Sequence, residues 1–333
     1  MSFKTWDREF EVARTAVRDG ALLARDIRLQ FGGHDALRKG DRSPVTVADF
    51  AVQAIVARRL ADAFPGDALV AEEDSTALRL PEHAPILASI VAALQRADPS
   101  LNGEGVIRAV DRGCGSPGER YWALDPVDGT KGFIRGDQYA VALALIVGGQ
   151  VQIGILGCPR LSLGATGEGS LVFAVRGHGA HRMPLSGEEV TPLHVSPCGD
   201  ARLARVLRSV EDAHIDVDAV NEVLRRLDVT GPPTRMDSQA KHALVAAGKG
   251  ELIVRLPPAA HDRDWVWDQA AGAIIVEEAG GKVTDARGLE LDFSAGRTLA
   301  RNQGVAVSNG HLHAALLDAL RFLEGRSFAS GAP

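Results

Sequence analysis

Two apolar runs joined by a short glycine turn most strongly limit the folds open to this 333-residue chain. Residues 140–147 read AVALALIV and residues 151–157 read VQIGILG, with Gly148, Gly149 and Gln150 between them. Runs of this length with such a short link predict a buried β-hairpin. Neither run approaches the ~20 apolar residues that a membrane-spanning helix needs. We therefore expect a core built around an antiparallel sheet.

The segments around this hairpin predict an α+β arrangement in residues 1–196. Predicted helices cover residues 5–31, 46–64 and 84–96, and predicted strands cover residues 68–71, 121–124, 170–175 and 190–195. Residues 97–119 are rich in Gly, Asp and Pro and predict a long surface loop.

After residue 197 the pattern changes to alternating strands and helices, which predicts an α/β domain over residues 197–333. Predicted strands cover residues 205–209, 229–235, 252–256 and 305–308, and predicted helices cover residues 216–227, 238–247 and 268–279. We place the boundary between the two domains near residue 196.

Composition narrows the class of protein further. The chain is 45% hydrophobic and 24% charged, which excludes collagen, coiled coil and disordered classes. Its net charge of −6 argues against nucleic acid or an anionic membrane as a partner. Three widely spaced cysteines predict neither a disulfide framework nor a zinc site. Because the first residues lack the apolar region of a signal peptide, we expect a cytoplasmic protein.

The most informative motif is residues 125–133, which read DPVDGTKGF after an apolar strand. Asp125 and Asp128 can face one point together with the carbonyl of Val127, because Pro126 fixes its own φ. Such an oxygen cage suits a hard cation such as Mg²⁺. The residues that follow can open a short helix, whose first N–H groups, at Gly129 and Thr130, suit a phosphate. The simpler interpretation of a bare Asp-x-x-Asp is a turn with solvated aspartates.

The motif resembles the signature of the inositol monophosphatase superfamily, a group of lithium-sensitive, magnesium-dependent phosphatases. Two other segments resemble the same family: residues 71–75 (AEEDS), and residues 267–272 (WDQAAG) followed by EAGG at 278–281. The resemblance covers roughly residues 40–310. It implies a layered αβαβα sandwich of the inositol monophosphatase and sugar phosphatase type.

Three segments resemble one branch of that family, the 3'(2'),5'-bisphosphate nucleotidases. They are residues 43–49 (SPVTVAD), the KGF at 131–133, and residues 236–241 (MDSQAK). Inositol monophosphatases themselves usually carry Asn where this chain has Gly132. The resemblance implies removal of the 3'-phosphate of adenosine 3',5'-bisphosphate, and also of 3'-phosphoadenosine 5'-phosphosulfate, by in-line attack of a metal-activated water.

The resemblance also implies residue roles. The implied metal ligands, for two or three Mg²⁺ ions, are Glu72, Asp125, the Val127 carbonyl, Asp128 and Asp268. Asp49 and Thr130 are implied to orient the attacking water. Without cations, these carboxylates and a phosphate of about −2 charge could not share one cleft. Taken alone, Asp49 could be a solvated helix residue, and Asp268 could cap the helix that follows it.

The implied substrate contacts are Gly129, Thr130, His214, Ser238, Lys241 and Arg255. Lys241 and Arg255 carry side chains that suit phosphate, and His214 resembles a base-contacting histidine. The alternative is that Ser238 caps a helix while Lys241 and Arg255 are exposed.

Two other functions stay open at this point. One is a phosphatase for inositol phosphates or other sugar phosphates. The other is a catalytically silent cation- or nucleotide-binding regulator, against which the full set of carboxylates argues.

Overall fold

A computed structural model describes residues 3–31, 36–38, 44–96, 98–164, 169–211, 215–257 and 262–329. The α-helices there are α1 (Asp7–Phe31), α2 (Val47–Ala63), α3 (Ala84–Leu94), α4 (Gly103–Asp111), α5 (Thr130–Arg135), α6 (Val217–Arg226), α7 (Ala240–Ala246), α8 (Ala270–Glu278) and α9 (His313–Ala329). Single 3₁₀ turns lie at Lys4–Trp6, Ala77–Arg79, Pro81–His83 and Ala201–Leu203.

The strands of the described parts fall into three sheets. The first strands are β1 (Ala36–Arg38), β2 (Pro44–Thr46), β3 (Ala68–Ala71), β4 (Arg120–Asp128), β5 (Ala140–Val147), β6 (Gln150–Cys158) and β7 (Ser170–Val175). The others are β8 (Ala180–Pro184), β9 (Thr191–Leu193), β10 (Val206–Arg208), β11 (Thr234–Arg235), β12 (Leu252–Arg255), β13 (Lys282–Thr284) and β14 (Val305–Ser308). β1 and β2 form a small antiparallel pair.

The larger sheet runs from β3 to β9 in sequence order and is antiparallel except where β3 pairs with β4. The predicted hairpin is confirmed: β5 and β6 pair with Val147 opposite Gln150. The smaller sheet has the order β11-β10-β12-β14-β13 and is mixed. The division of the chain at residue 196 into two domains stays a prediction.

Five layers result from packing helices on both faces of each sheet, as the αβαβα expectation requires. Helices α1 and α2 cover one face of the large sheet. Helices α7 and α8 fill the space between the two sheets and share a core with both. Helices α6 and α9 cover the outer face of the small sheet.

The predicted surface loop over residues 97–119 is wrong, because Gly103–Asp111 forms α4. The Asn102 side chain accepts a hydrogen bond from Gly105 N at 2.9 Å and so caps this helix. Val106 and Val110, four residues apart, bury one face of it.

Smaller errors concern other elements. No pattern in the sequence predicted β1, β2, β8, β13 or α9, and of the strand predicted near 229–235 only Thr234–Arg235 forms. None of the helices in the described parts combines the length and apolarity needed to cross a membrane.

Candidate active site

A cavity of about 250 Å³ lies where the two sheets and the central helices meet. Its acidic wall consists of Glu72, Asp125, Asp128 and Asp268. Glu72 directly follows β3, Asp125 and Asp128 end β4, and Asp268 precedes α8. Elements far apart in sequence therefore bring the four predicted carboxylate ligands to one cavity.

The end of β4 is irregular, and this irregularity places its two aspartates. The pairing with β5 shifts register between Asp125 and Asp128, as in a β-bulge, which redirects side chains at a strand end. Gly129 follows with a φ of +88°, a conformation that favours glycine. A Cβ at Gly129 would also lie 3.2 Å from the Cβ of Ser238. α5 begins at Thr130, so the predicted short helix is confirmed.

Asp125 is the most buried of the four acidic residues, with 2% of its surface exposed. Its Oδ1 atom is buried and has no hydrogen-bond partner within the described residues. Burial raises its pKa well above the usual value, and the charge of Glu72 raises it further, followed by those of Asp128 and Asp268. A carboxylate in this environment is stabilised when it binds a cation or a proton.

Asp128 and Asp268 have similar environments, but each also has a cationic neighbour. Burial raises the pKa of Asp128, while Lys241 and a hydrogen bond from Gln239 N to Oδ2 at 2.6 Å oppose the rise. Burial likewise raises the pKa of Asp268 well above its usual value, against the opposing charge of Arg255. The alternative that Asp268 caps α8 is wrong, because Gln269 occupies the N-cap position.

Asp49 is fully buried at the start of α2, so its interpretation as a solvated residue is wrong. Its Oδ2 accepts hydrogen bonds from Thr46 N at 2.8 Å and Thr46 Oγ1 at 2.6 Å. These contacts form a capping box and fix the carboxylate. Its Oδ1 lies 3.2 Å from the hydroxyl of Thr130, which also lies 3.1 Å from the Val127 carbonyl. The structure thus brings together the predicted Asp49–Thr130 pair.

Ser238, Lys241 and Arg255 also line this cavity, and we call them its cationic wall; the charge of Lys241 acts on Asp128 and that of Arg255 on Asp268. Lys241 is only 8% exposed, so its interpretation as a surface residue is wrong. Its Nζ donates to the carbonyls of Met236 at 3.1 Å and Ser238 at 2.9 Å. Burial lowers the pKa of Lys241 to about 8, although the charge of Asp128 opposes the shift.

Ser238 and Arg255 are held by their local surroundings. Ser238 has a φ of +69°, which is unusual for a residue with a side chain, and its Oγ accepts from Ala240 N at 3.2 Å. The alternative that Ser238 caps α7 is wrong, because Gln239 occupies the N-cap position; Ser238 lines the cavity. Arg255 pairs with Asp264. Burial lowers the pKa of Arg255, but Asp264 and Asp268 outweigh this and raise it.

One predicted contact cannot be placed, and other cavity residues were not predicted. His214 lies outside the described residues. Lys131 and Glu211 also line the cavity and form an ion pair of 3.2 Å. Gln239, in the MDSQAK segment, was not predicted as a site residue, and its role depends on contacts with distant parts of the chain. No local pattern indicates such contacts.

The donor set fits hard divalent cations, because it consists of carboxylate oxygens and a backbone carbonyl. The unpartnered Oδ1 of Asp125 and the mutual repulsion of the acidic groups both favour a cation in this cavity. Within the described residues, no three His, Cys, Asp or Glu side chains already stand in the arrangement of a formed metal site. The carboxylates of the acidic wall would therefore have to move closer together to hold an ion.

Comparison with protein families agrees with this geometry. The model of the inositol monophosphatase family matches residues 6–324. The chain belongs to the inositol monophosphatase family. Its members are metal-dependent phosphatases, so the chain is classed as a hydrolase of phosphate esters.

Curated relatives within the inositol monophosphatase family confirm the closer resemblance. A protein of Oryza sativa named 3'(2'),5'-bisphosphate nucleotidase is 39% identical over 94% of this chain and 93% of its own length. A protein of the same name from Schizosaccharomyces pombe is 37% identical over 90% of this chain and 91% of its own.

Solved structures of the inositol monophosphatase family share the fold. An IMPase of Thermotoga maritima has a TM-score of 0.67 and 22% identity, covering 96% of this chain and 98% of its own. An inositol monophosphatase from Anabaena has a TM-score of 0.63 and 20% identity, covering 96% and 97%. At these identities the likeness supports the layered sandwich and not the choice of substrate.

Proposed function

We propose that this chain removes the 3'-phosphate of adenosine 3',5'-bisphosphate in a reaction that depends on Mg²⁺. The observation that carries the proposal is that one cavity has an acidic wall and a cationic wall. The acidic wall suits the cations of phosphoryl transfer, and the wall with Lys241 and Arg255 suits a second anionic group. A substrate with two phosphates on one ribose matches both walls.

Two or three Mg²⁺ ions would be held by Glu72, Asp125, the Val127 carbonyl, Asp128 and Asp268. When bound, such ions neutralise the phosphate and stabilise the charge that develops on its oxygens. Without them, the acidic wall would repel the substrate. The repulsion between these carboxylates, which raises the pKa of Asp125, supports this requirement.

Asp49 and Thr130 would orient and deprotonate the attacking water. The Thr130 hydroxyl donates to Asp49 Oδ1, so its oxygen lone pair is free to accept a hydrogen bond from water. The water oxygen attacks phosphorus as the bond from phosphorus to O3' breaks. Its proton moves through the Thr130 hydroxyl to Asp49 Oδ1, and O3' takes a proton from solvent.

The N–H groups of Gly129 and Thr130, at the first turn of α5, would contact the transferred phosphate. Ser238, Lys241 and Arg255 would bind the 5'-phosphate side of the nucleotide, and His214 would contact the base. Because a 5'-phosphosulfate also presents an anion to this wall, we include 3'-phosphoadenosine 5'-phosphosulfate as a second substrate. Lys241 is buried in the cavity, so its charge interacts with a bound anion more than with solvent, which supports this role.

A substrate panel tests the proposal. Phosphate release should be fastest from adenosine 3',5'-bisphosphate and at least ~100-fold slower from inositol 1-phosphate and fructose 1,6-bisphosphate, since each lost charged contact costs about 1.5–3 kcal/mol. Preference for either of the other two substrates would overturn the nucleotide assignment. Absence of turnover on all three would indicate a silent binding protein.

A matched pair of lysine variants sharpens this test. Lys241→Ala should raise KM for the bisphosphate and leave KM for inositol 1-phosphate nearly unchanged. Lys249→Ala, which removes an exposed lysine outside the cavity, should change neither. Equal effects of Lys241→Ala on both substrates would exclude Lys241 from substrate selection.

A further inference from the structure

Gln239 is a buried amide residue between the two sheets, with 2% of its surface exposed. It directly follows Ser238, whose positive φ turns the chain before α7 begins. A strained backbone conformation of this kind persists only where surrounding contacts hold it. The contacts of Gln239 show what this turn achieves.

Three hydrogen bonds connect Gln239 to Asp128 and to the residues on either side of Asp268. Its backbone N–H donates to Asp128 Oδ2 at 2.6 Å. Its side-chain Nε2 donates to the Trp267 carbonyl at 2.9 Å, and its Oε1 accepts from Gly272 N at 2.9 Å. A single residue thus links the end of β4 to the loop that carries Asp268.

The side-chain contacts also complete the N-terminus of α8. The first N–H groups of a helix lack partners within the helix, and α8 has no side-chain hydrogen bond from its own N-cap residue. Gln239 supplies a partner for Gly272 from another element. Because it holds Trp267 on one side and Gly272 on the other, Gln239 fixes the backbone on which Asp268 lies.

An amide of this length satisfies both contacts without a proton being added, whereas a carboxyl side chain would satisfy both only when protonated. A Gln offers one donor and one acceptor on a planar group, and here the donor meets a carbonyl and the acceptor meets an N–H. Glu would keep the acceptor for Gly272 and place an oxygen against the Trp267 carbonyl. Leu would remove both contacts while filling a similar volume.

We propose that Gln239 is a positioning residue that sets the placement of Asp268 relative to Asp128, and through it the affinity of the cavity for divalent cations. The inference rests on the proposed function, in which both aspartates hold cations. Groups that orient metal ligands typically contribute about 10- to 100-fold to metal affinity.

The test measures Mn²⁺ binding to the substrate-free protein through the EPR signal of free Mn²⁺. Gln239→Leu and Gln239→Glu should each weaken Mn²⁺ binding at least ~10-fold. The Mg²⁺ concentration that gives half-maximal rate should rise in both variants. KM for the nucleotide substrate, measured at saturating Mg²⁺, should change by a smaller factor. Asp125→Asn removes a carboxylate of the acidic wall. The Mn²⁺ binding that this variant loses is therefore the binding in the cavity.

A control separates positioning from a general loss of stability. Asn309 is a buried amide whose Nδ2 donates to the carbonyls of Ser196 at 3.0 Å and Cys198 at 2.8 Å, and it does not line the cavity. Asn309→Leu should lower the unfolding temperature in EDTA and leave the Mn²⁺ affinity unchanged. If Gln239→Leu does not fold, Gln239→Glu, which keeps the shape of the side chain, still tests the inference.

The outcomes are distinguishable. A loss of affinity of about tenfold or more in a folded Gln239 variant, with Asn309→Leu unaffected, supports the inference. A smaller loss overturns the inference and leaves the proposed function standing. If the wild-type protein itself binds no Mn²⁺ that Asp125→Asn removes, the proposed function and this inference both fail.

Discussion

Arg297 lies over the indole ring of Trp267, with its guanidinium carbon 4.9 Å from the ring centroid. The same guanidinium donates to the carbonyl of Ala71, the residue before Glu72. Since Trp267 precedes Asp268, this contact joins two of the loops that form the acidic wall. It is a second link across the site, besides the one through Gln239, and sequence spacing does not reveal it.

Arg297→Met should lower the free energy of unfolding by about 1–3 kcal/mol, because the carbonyl of Ala71 loses a charged donor and the indole loses a cation. Urea unfolding monitored by circular dichroism measures this. Arg301→Met provides the matched control, since Arg301 pairs with Asp292 at the surface. Equal and small effects of both variants would contradict the linking role of Arg297.

Thr130→Val should lower kcat about 100-fold or more, because the hydroxyl that would connect the attacking water to Asp49 is absent. Thr130→Ser keeps the hydroxyl and should retain most of the activity. Steady-state kinetics at saturating Mg²⁺ distinguish the two variants. If Thr130→Val kept wild-type kcat, the proton path through Thr130 would be wrong.

Removal of metal should make stability fall as pH rises. The folded state of the metal-free protein raises the pKa of Asp125 and Asp268. At pH values above about 4, the ordinary pKa of an aspartate, the folded state therefore holds more protons than the unfolded state. The free energy of unfolding then decreases as pH rises from about 4 to the raised pKa values. Mg²⁺ should abolish the decrease. Unfolding temperatures between about pH 5 and pH 8, in EDTA and in Mg²⁺, measure it.

Asp125→Asn is the control for this pH effect. Two histidines, His242 and His313, have pKa values lowered to about 3 and about 4 by burial, and they raise stability as pH rises. The same two histidines are present in the variant, so the comparison isolates Asp125. In EDTA near pH 7, Asp125→Asn should unfold at least ~2 °C above the wild-type protein. A lower unfolding temperature would contradict repulsion in the acidic wall.

Substrate affinity should weaken above about pH 8, since burial lowers the pKa of Lys241 to about 8. The charged lysine binds the anion, and this contact is lost as pH rises through the pKa. KM for adenosine 3',5'-bisphosphate measured from about pH 7 to pH 9.5 tests the prediction. In Lys241→Ala, KM should be high throughout and should lack this rise. A rise of equal size in the variant would assign it to another group.

The local sequence predicted the elements whose cause is local. Two apolar runs joined by a glycine turn located β5 and β6, and the run at the end of β4 located the turn at Gly129. α4 was missed because its glycines and aspartates obscured a short apolar stripe of Val106 and Val110. Its cap, Asn102, was the available signal.

The site could be predicted only in part. Asp125 and Asp128 share one motif, so spacing alone suggested their convergence. Glu72 and Asp268 lie about 50 and 140 residues away from that motif, and only the resemblance to a known family placed them in one site. The contacts of Gln239 and Arg297 depend on how the two sheets pack, which no local pattern encodes.

The most direct test of the central claim is the rate at which adenosine 3',5'-bisphosphate is converted to adenosine 5'-phosphate, with the product identified by chromatography. The wild-type protein should form adenosine 5'-phosphate in Mg²⁺ and stop when EDTA is added, and Asp125→Asn should be inactive in both. Release of the 5'-phosphate instead, or unchanged turnover in EDTA, would contradict the account.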